Sequence, residues 1–180
     1  MSRLRPSIYS ILEIEKDGRT VDFRAAAASI DFYEDSFCPT VSCSIQIINS
    51  GGVIEGENGK KVSLYEGLKI RGGETVRILI RANSPDNQDI DYNTVESLYV
   101  NGITGLIRDD NKEIFTLHLF SKQAYDNEKT FLVKKYQENV QISEHVSTIV
   151  RESFPDLFQF NVDIEETFNN FGFIGNQMKP

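Results

Sequence analysis

The chain has no tryptophan, only two cysteines and two histidines, and five prolines in 180 residues. Each scarcity excludes something. Lacking tryptophan, its loops have a poor platform for stacking on sugars. Cys38 and Cys43 lie five positions apart in a β-like run, which puts them roughly 16 Å from each other and on opposite faces, beyond disulfide reach. They read as small hydrophobes, buried or half-buried, and no Cys/His spacing suggests zinc. No apolar run approaches the roughly 20 residues that span a bilayer, so no membrane insertion is expected. Met1-Ser2-Arg3-Leu4-Arg5-Pro6 is basic but is not followed by an apolar core, so a secretory signal is not expected either, and the chain reads as made and folded in cytoplasm. Basic residues are outnumbered, 19 against 27 acidic, for a net charge of −8. A nucleic-acid binder needs a basic footprint, so specific binding of DNA or RNA is not expected. Such a balance is compatible with a surface that DNA passes without sticking, although ordinary solubility accounts for it better from composition alone.

What is present is mostly β-pattern. Ile8, Ser10, Leu12 and Ile14 alternate with Tyr9, Ile11 and Glu13, and Asp17-Gly18 signals a hairpin into Thr20–Tyr33. The Ala25–Ala28 block inside that second run favours helix by propensity, but the flanking hairpin signal and Ile30 and Phe32 assign it to one strand. Val41, Cys43, Ile45 and Ile47 on one face, against Ser42, Ser44 and Gln46 on the other, make the clearest half-buried strand. Gly51–Gly73 reads as a long loop with short extended pieces. Thr75–Ala82 alternates again, and Asn83–Asn93 is a polar loop around Ser84-Pro85-Asp86-Asn87. Val95–Ile107 and Glu113–Phe120 form a hairpin across Asp109-Asp110-Asn111.

The period changes after Phe120. Ser121 is placed to cap a helix bearing Ala124, Tyr125, Phe131, Leu132 and Tyr136, with Lys134-Lys135 near its end where cations suit the helix dipole. Ser143 starts a second helix, with Val146, Ile149, Val150 and Ser153 on one stripe and Pro155 as its stop. The expected fold class is α+β, mainly antiparallel β: a barrel or sandwich followed by two α-helices. Three segments are expected: 1–121 as the β domain, 122–157 as a helical segment closing it or linking onward, and 158–180 as the aromatic-rich start of a second region. In that last segment Phe158, Phe160, Phe168, Phe171 and Phe173, with Phe154 just upstream, predict a partner surface or a continuation into a longer protein.

No catalytic constellation emerges. His118 points away from the Leu117/Leu119 face and reads as a structural histidine. Ser143, Glu144 and His145 are consecutive on a helix, so they fan out rather than converge. Gly59-Lys60-Lys61 fails as a phosphate loop, because Ile54 and Lys61 hold the positions that need glycine and Ser or Thr. Asp86-Asn87-Gln88-Asp89-Ile90-Asp91 offers oxygens but lacks the glycine and distal glutamate of an EF-hand. Adjacent Glu165-Glu166 support no paired-carboxylate mechanism. No metal, cofactor or enzymatic activity is therefore expected.

The wording of the C-terminal third carries a resemblance. Leu117-His118-Leu119-Phe120-Ser121-Lys122 closes a strand, Asn127-Glu128 and Val133-Lys134-Lys135-Tyr136 follow, and then come Ile142-Ser143-Glu144-His145-Val146 and the closing Phe171-Gly172-Phe173-Ile174-Gly175-Asn176-Gln177-Met178-Lys179-Pro180. In this order the motifs resemble the central baseplate hub protein of contractile-tailed bacteriophages, particularly those of marine hosts. Residues before Ile107 match by pattern alone. The resemblance implies a tail-tube-like β-barrel and a homotrimer in the virion, at the tail baseplate. Such a ring joins the hexameric tail tube protein above to the central spike protein below, contacts the baseplate wedge proteins, and surrounds a DNA channel. Family hubs are usually longer, with two barrel-like domains, whereas this chain has one such domain and the start of the next region. The rival expectation is a non-catalytic β-sandwich that binds a protein or a cell-surface glycan through Gly51–Gly73 and Asn83–Asn93; a hydrolase is the third.

Overall fold

The computed structural model describes residues 7–38, 40–49, 54–55, 61–84, 86–93, 96–109, 112–155 and 163–175. The chain divides into two compact units, Met1–Lys122 and Gln123–Pro180.

The first unit is built on one antiparallel sheet. Strand β1 (Ile8–Lys16) turns at Asp17-Gly18 into β2 (Arg19–Asp22). Asp17 and Gly18 have φ of 50° and 75°, the left-handed pair that a tight hairpin turn requires. The expected single strand Thr20–Tyr33 does not form. A 3-10 turn at Arg24–Ala26 interrupts it, and β3 (Ala27–Tyr33) begins after the turn. The alanine block's leaning away from extended structure decided this, and it has a large consequence. The 3-10 turn touches both β1 and β4 (Ser42–Asn49), so β2 and β3 end up at opposite ends of the sheet.

The segment expected to be a long loop holds β5 (Ile54–Glu55), β6 (Lys61–Val62) and a short helix, α1 (Leu64–Leu68). Ser63 caps that helix by accepting from the Glu66 N–H at 3.2 Å, and Leu64 and Leu68, one turn apart, are buried in the core. Next come β7 (Thr75–Arg81), β8 (Ile90–Tyr92), β9 (Leu98–Asp109) and β10 (Lys112–Phe120). Strand β8 lies inside the expected polar loop. Strands β9 and β10 pair as the predicted hairpin; its tip residues, Asp110 and Asn111, lie outside the described residues.

The order of the sheet is β2-β1-β7-β9-β10-β4-β3, with β8 attached to β7. Strands β7 and β9 share only two register pairs, Thr75↔Tyr99 and Val76↔Leu98. On one side of this narrow junction are β1 and β7, and on the other β9, β10, β4 and β3. Their inward residues form one core: Leu12, Ile14, Val76 and Ile78 from the first group, Ile45, Ile47, Leu98, Phe115 and Leu117 from the second. Alternation is strictest in β10, where Glu113, Phe115, Leu117 and Leu119 are buried and the residues between them are not. Each fully buried Leu, Ile or Phe contributes about 1.5–3 kcal/mol. The arrangement is an open, folded-over sheet. The closed barrel is not present, because β2 and β3 end the sheet without pairing to each other.

The second unit contains α2 (Lys122–Lys129, whose first residue ends the first unit), β11 (Lys135–Tyr136), α3 (Ile142–Ser153) and β12 (Phe173–Ile174). The helix expected to reach Tyr136 stops at Lys129. Thr130 turns its hydroxyl back to the Asp126 carbonyl at 2.8 Å, and the chain continues extended. Ser121 is not the expected cap: its buried hydroxyl has no hydrogen-bond partner among the described residues, and its N–H donates to the Val41 carbonyl at 3.0 Å. Helix α3 forms as expected and ends before Pro155, but its N-cap residue is Gln141, not Ser143, and its most buried side chains are Ser143 and His145 rather than the Val146 stripe. No helix of the described residues is long and apolar enough to cross a membrane.

Candidate functional site

The aromatic tail is the candidate interface for assembly that the sequence named residue by residue. Its backbone from Thr167 to Gly175 lies antiparallel beside residues 134–143. Phe171 N–H donates to the Val140 carbonyl at 3.2 Å, Ile142 N–H to the Asn169 carbonyl at 3.2 Å, and Gly175 N–H to the Lys134 carbonyl at 2.9 Å. Between these bonds, Tyr136 pairs with Phe173 and Lys135 with Ile174. The close approach needs glycine at 172, because a Cβ there would stand 2.5 Å from Glu138 Cγ and 2.8 Å from the Glu138 nitrogen.

Two polar devices hold this ribbon. Ser143 N–H donates to Thr167 Oγ1 at 3.0 Å and Thr167 N–H to Ser143 Oγ at 3.2 Å. His145 is buried with Nε2 2.9 Å from the Gln137 carbonyl and 2.8 Å from the Phe171 carbonyl. Both acceptors are oxygens, so Nε2 carries the proton that it shares between them. Tyr136 packs edge-on to the ring at 5.3 Å. His145 is therefore an internal tie.

On this fixed backbone Phe168 is 98% exposed and Phe171 59% exposed, with Val133 and Ile174 also open to solvent. Phe158 and Phe160 lie outside the described residues; so does the side chain of Phe173, although its backbone forms β12. Of the five phenylalanines named from sequence, two are thus described, and both are displayed outward.

Two buried carboxylates, Glu74 and Glu113, anchor the segment from Gly51 to Gly73, whose short extended pieces β5 and β6 match expectation and whose helix α1 does not. Glu74, with only 6% of its surface exposed, accepts from Lys16 Nζ and from the N–H groups of Arg71 and Gly72, each at 2.8 Å. Burial alone would raise its pKa, but the Lys16 ammonium and the two amides together hold it below the usual carboxylate range. Glu113 accepts from Ser63 Oγ at 3.0 Å and faces Arg108 Nε at 3.2 Å. A groove of about 940 Å³ beside the turn is lined by Lys16, Arg19, Lys69 and Arg71 and by Asp17 and Glu66. Charges of both signs alternate there, and Glu74 already occupies the Arg71 and Gly72 amides. The groove's best anion donors are consequently used inside the fold.

Asp89, from the segment weighed as a calcium loop, pairs with Arg81 at 2.5 Å and accepts from the Ala82 N–H at 2.8 Å. No group of His, Cys, Asp and Glu able to hold a metal ion occurs among the described residues. Both cysteines are free. Burial, with Asp31 adding a little, pushes the Cys43 thiol up to about 12. Cys38 is exposed rather than half-buried, and its hydrogen bond with Thr40 lowers its pKa.

His118 keeps the outward direction read from its strand, but it is not alone. Its Nδ1 lies 3.0 Å from Ser44 Oγ and its Nε2 2.7 Å from Thr104 Oγ1. Strand β10 lies between β4 and β9: in this row Ser44 is directly opposite His118, while Thr104, opposite Thr116, reaches the ring diagonally. Sequence spacing concealed it, because the three residues are joined only by sheet register. With this geometry in place, no protein-family model matches the chain, and no curated protein is significantly similar to it.

Proposed function

We propose that the chain is a structural subunit of the baseplate hub of a contractile phage tail, located in the virion. In this reading it forms a homotrimeric ring that joins the hexameric tail tube protein to the central spike protein, meets the baseplate wedge proteins, and surrounds the DNA channel. The observation that carries the assembly role is Phe168, an almost wholly exposed ring on a backbone bonded on both sides. An exposed aromatic on a rigid support loses little conformational entropy on docking, which suits an interface anchor. The ordered motifs from Leu117 to Pro180, the mainly antiparallel sheet and the net charge of −8 support the same reading. An acidic surface repels phosphates along a DNA path.

Light scattering across a range of concentrations tests it. Trimers, or rings built on threes, that Phe168→Ser dissolves would support the hub. A monomer at every concentration that binds a cell-surface glycan or another protein would replace it with the binding-module reading.

A further inference from the structure

We infer that Ser44 is a nucleophilic serine, activated by His118, that accepts acyl groups from activated esters or thioesters. This goes beyond the assembly role and rests on the first unit alone.

The row Ser44–His118–Thr104 lies across three strands on the face opposite the core. Ser44 and His118 are half-buried and Thr104 is exposed, so an acyl donor reaches the hydroxyl from solvent. The distances are 3.0 Å from Ser44 Oγ to Nδ1 and 2.7 Å from Nε2 to Thr104 Oγ1. Both fall within the reach that nucleophile and base need. In the productive tautomer, Nε2–H donates to Thr104 Oγ1 and the Nδ1 lone pair faces the Ser44 hydroxyl. Thr104 is thus a positioning residue, taking the place that a carboxylate fills in a hydrolytic triad. Asp31, the carboxylate in register with Ser44, is opposite the serine rather than behind the imidazole.

Ser44 Oγ attacks the acyl carbonyl carbon while its proton passes to His118 Nδ1. The tetrahedral adduct collapses, the bond to the alcohol or thiol breaks, and the leaving group takes the proton from Nδ1. The products are an ester on Ser44, a free alcohol or thiol, and neutral His118. Strand β4 has a partner on each side, so its amides serve the ladders and provide no ready oxyanion hole. The site therefore takes donors with good leaving groups and stalls as the acyl-serine.

The test treats the full chain with p-nitrophenyl acetate and maps the acetyl group by peptide mass spectrometry. Acetylation at Ser44 is expected, absent in Ser44→Ala and slowed about a hundredfold or more in His118→Gln, the usual scale for a lost general base. Thr104→Val, a change at an exposed position that does not depend on how His118→Gln folds, should slow it as well, and Thr104→Ser should restore it. Acetyl groups on lysines with none on Ser44, or a Ser44 rate unchanged in either His118→Gln or Thr104→Val, would overturn the proposal.

Discussion

Ser143 and Thr167 hold each other reciprocally, the N–H of each donating to the other's hydroxyl at 3.0 and 3.2 Å. Ser143 lies in the first turn of α3 and Thr167 at the start of the C-terminal ribbon, so the pair sets where the ribbon starts. Phe168 follows directly. Its exposure belongs to a defined backbone position.

Phe168→Ser should leave the melting temperature nearly unchanged, because the ring is 98% exposed and loses no packing. Sedimentation of the variant should show weakened assembly, as should Phe171→Ser. Thr167→Ala should behave oppositely. It removes the hydroxyl that accepts the Ser143 N–H, a bond worth about 1 kcal/mol, while keeping its own N–H, and should destabilise the second unit.

Ile45→Asp buries a carboxylate at a position with no exposure, between β3 and β10 in the sheet. The loss should exceed about 4 kcal/mol, enough to unfold the first unit. Far-UV circular dichroism on heating would reveal it, and melting like the native chain would contradict the placement of β4.

Glu74 makes stability depend on pH. Its folded pKa is held below the ordinary value of 4.5, so its contribution is fully present above that value. It is lost as pH falls through the folded value. Urea unfolding midpoints should therefore decline below about pH 4.5 in the native chain. In Glu74→Gln the decline should be shallower. That variant should also lose about 1–3 kcal/mol at neutral pH, since Lys16 and two amides lose their charged partner.

Cys38 should react with a maleimide within a brief pulse, being exposed with a lowered pKa, while Cys43 stays unmodified. Modification of Cys43 should appear only as denaturant opens the folded sheet. Intact-protein mass after timed pulses would separate the two, and equal reactivity in the folded state would contradict the burial of β4.

Strict alternation made β4 and β10 legible, because one face of each is buried and the other is not; β7 is buried on both faces at Ile78–Ile80, and β9 is exposed on both from Thr104 on. Strand β8 was hidden by its length of three residues and its polar setting. Helix α1 was hidden by glycines, and only Ser63 with Leu64 and Leu68 betrays it. At Ala25–Ala28, local propensity and the hairpin pattern disagreed, and each governed part of the run. The reach of α2 was overestimated because Phe131, Leu132 and Tyr136 fit a helical stripe. Phe131 is exposed and Tyr136 is buried from a strand instead. The Ser44–His118–Thr104 row could not be read from spacing, since Ser44 and His118 are 74 positions apart.

That separation also bears on how the chain is made. Strand β4 is synthesised early, but its neighbour β10 emerges only after residues 112–120 leave the ribosome. Until then the edge of β4 that β10 pairs stays open, while β3 can already hold its other edge. Closure across such a span is slow, and an uncovered strand edge attracts wrong partners in the interval. Stalling translation just before β10 should therefore yield chains that chaperones hold, whereas a stall after β10 has cleared the ribosome should yield a folded first unit.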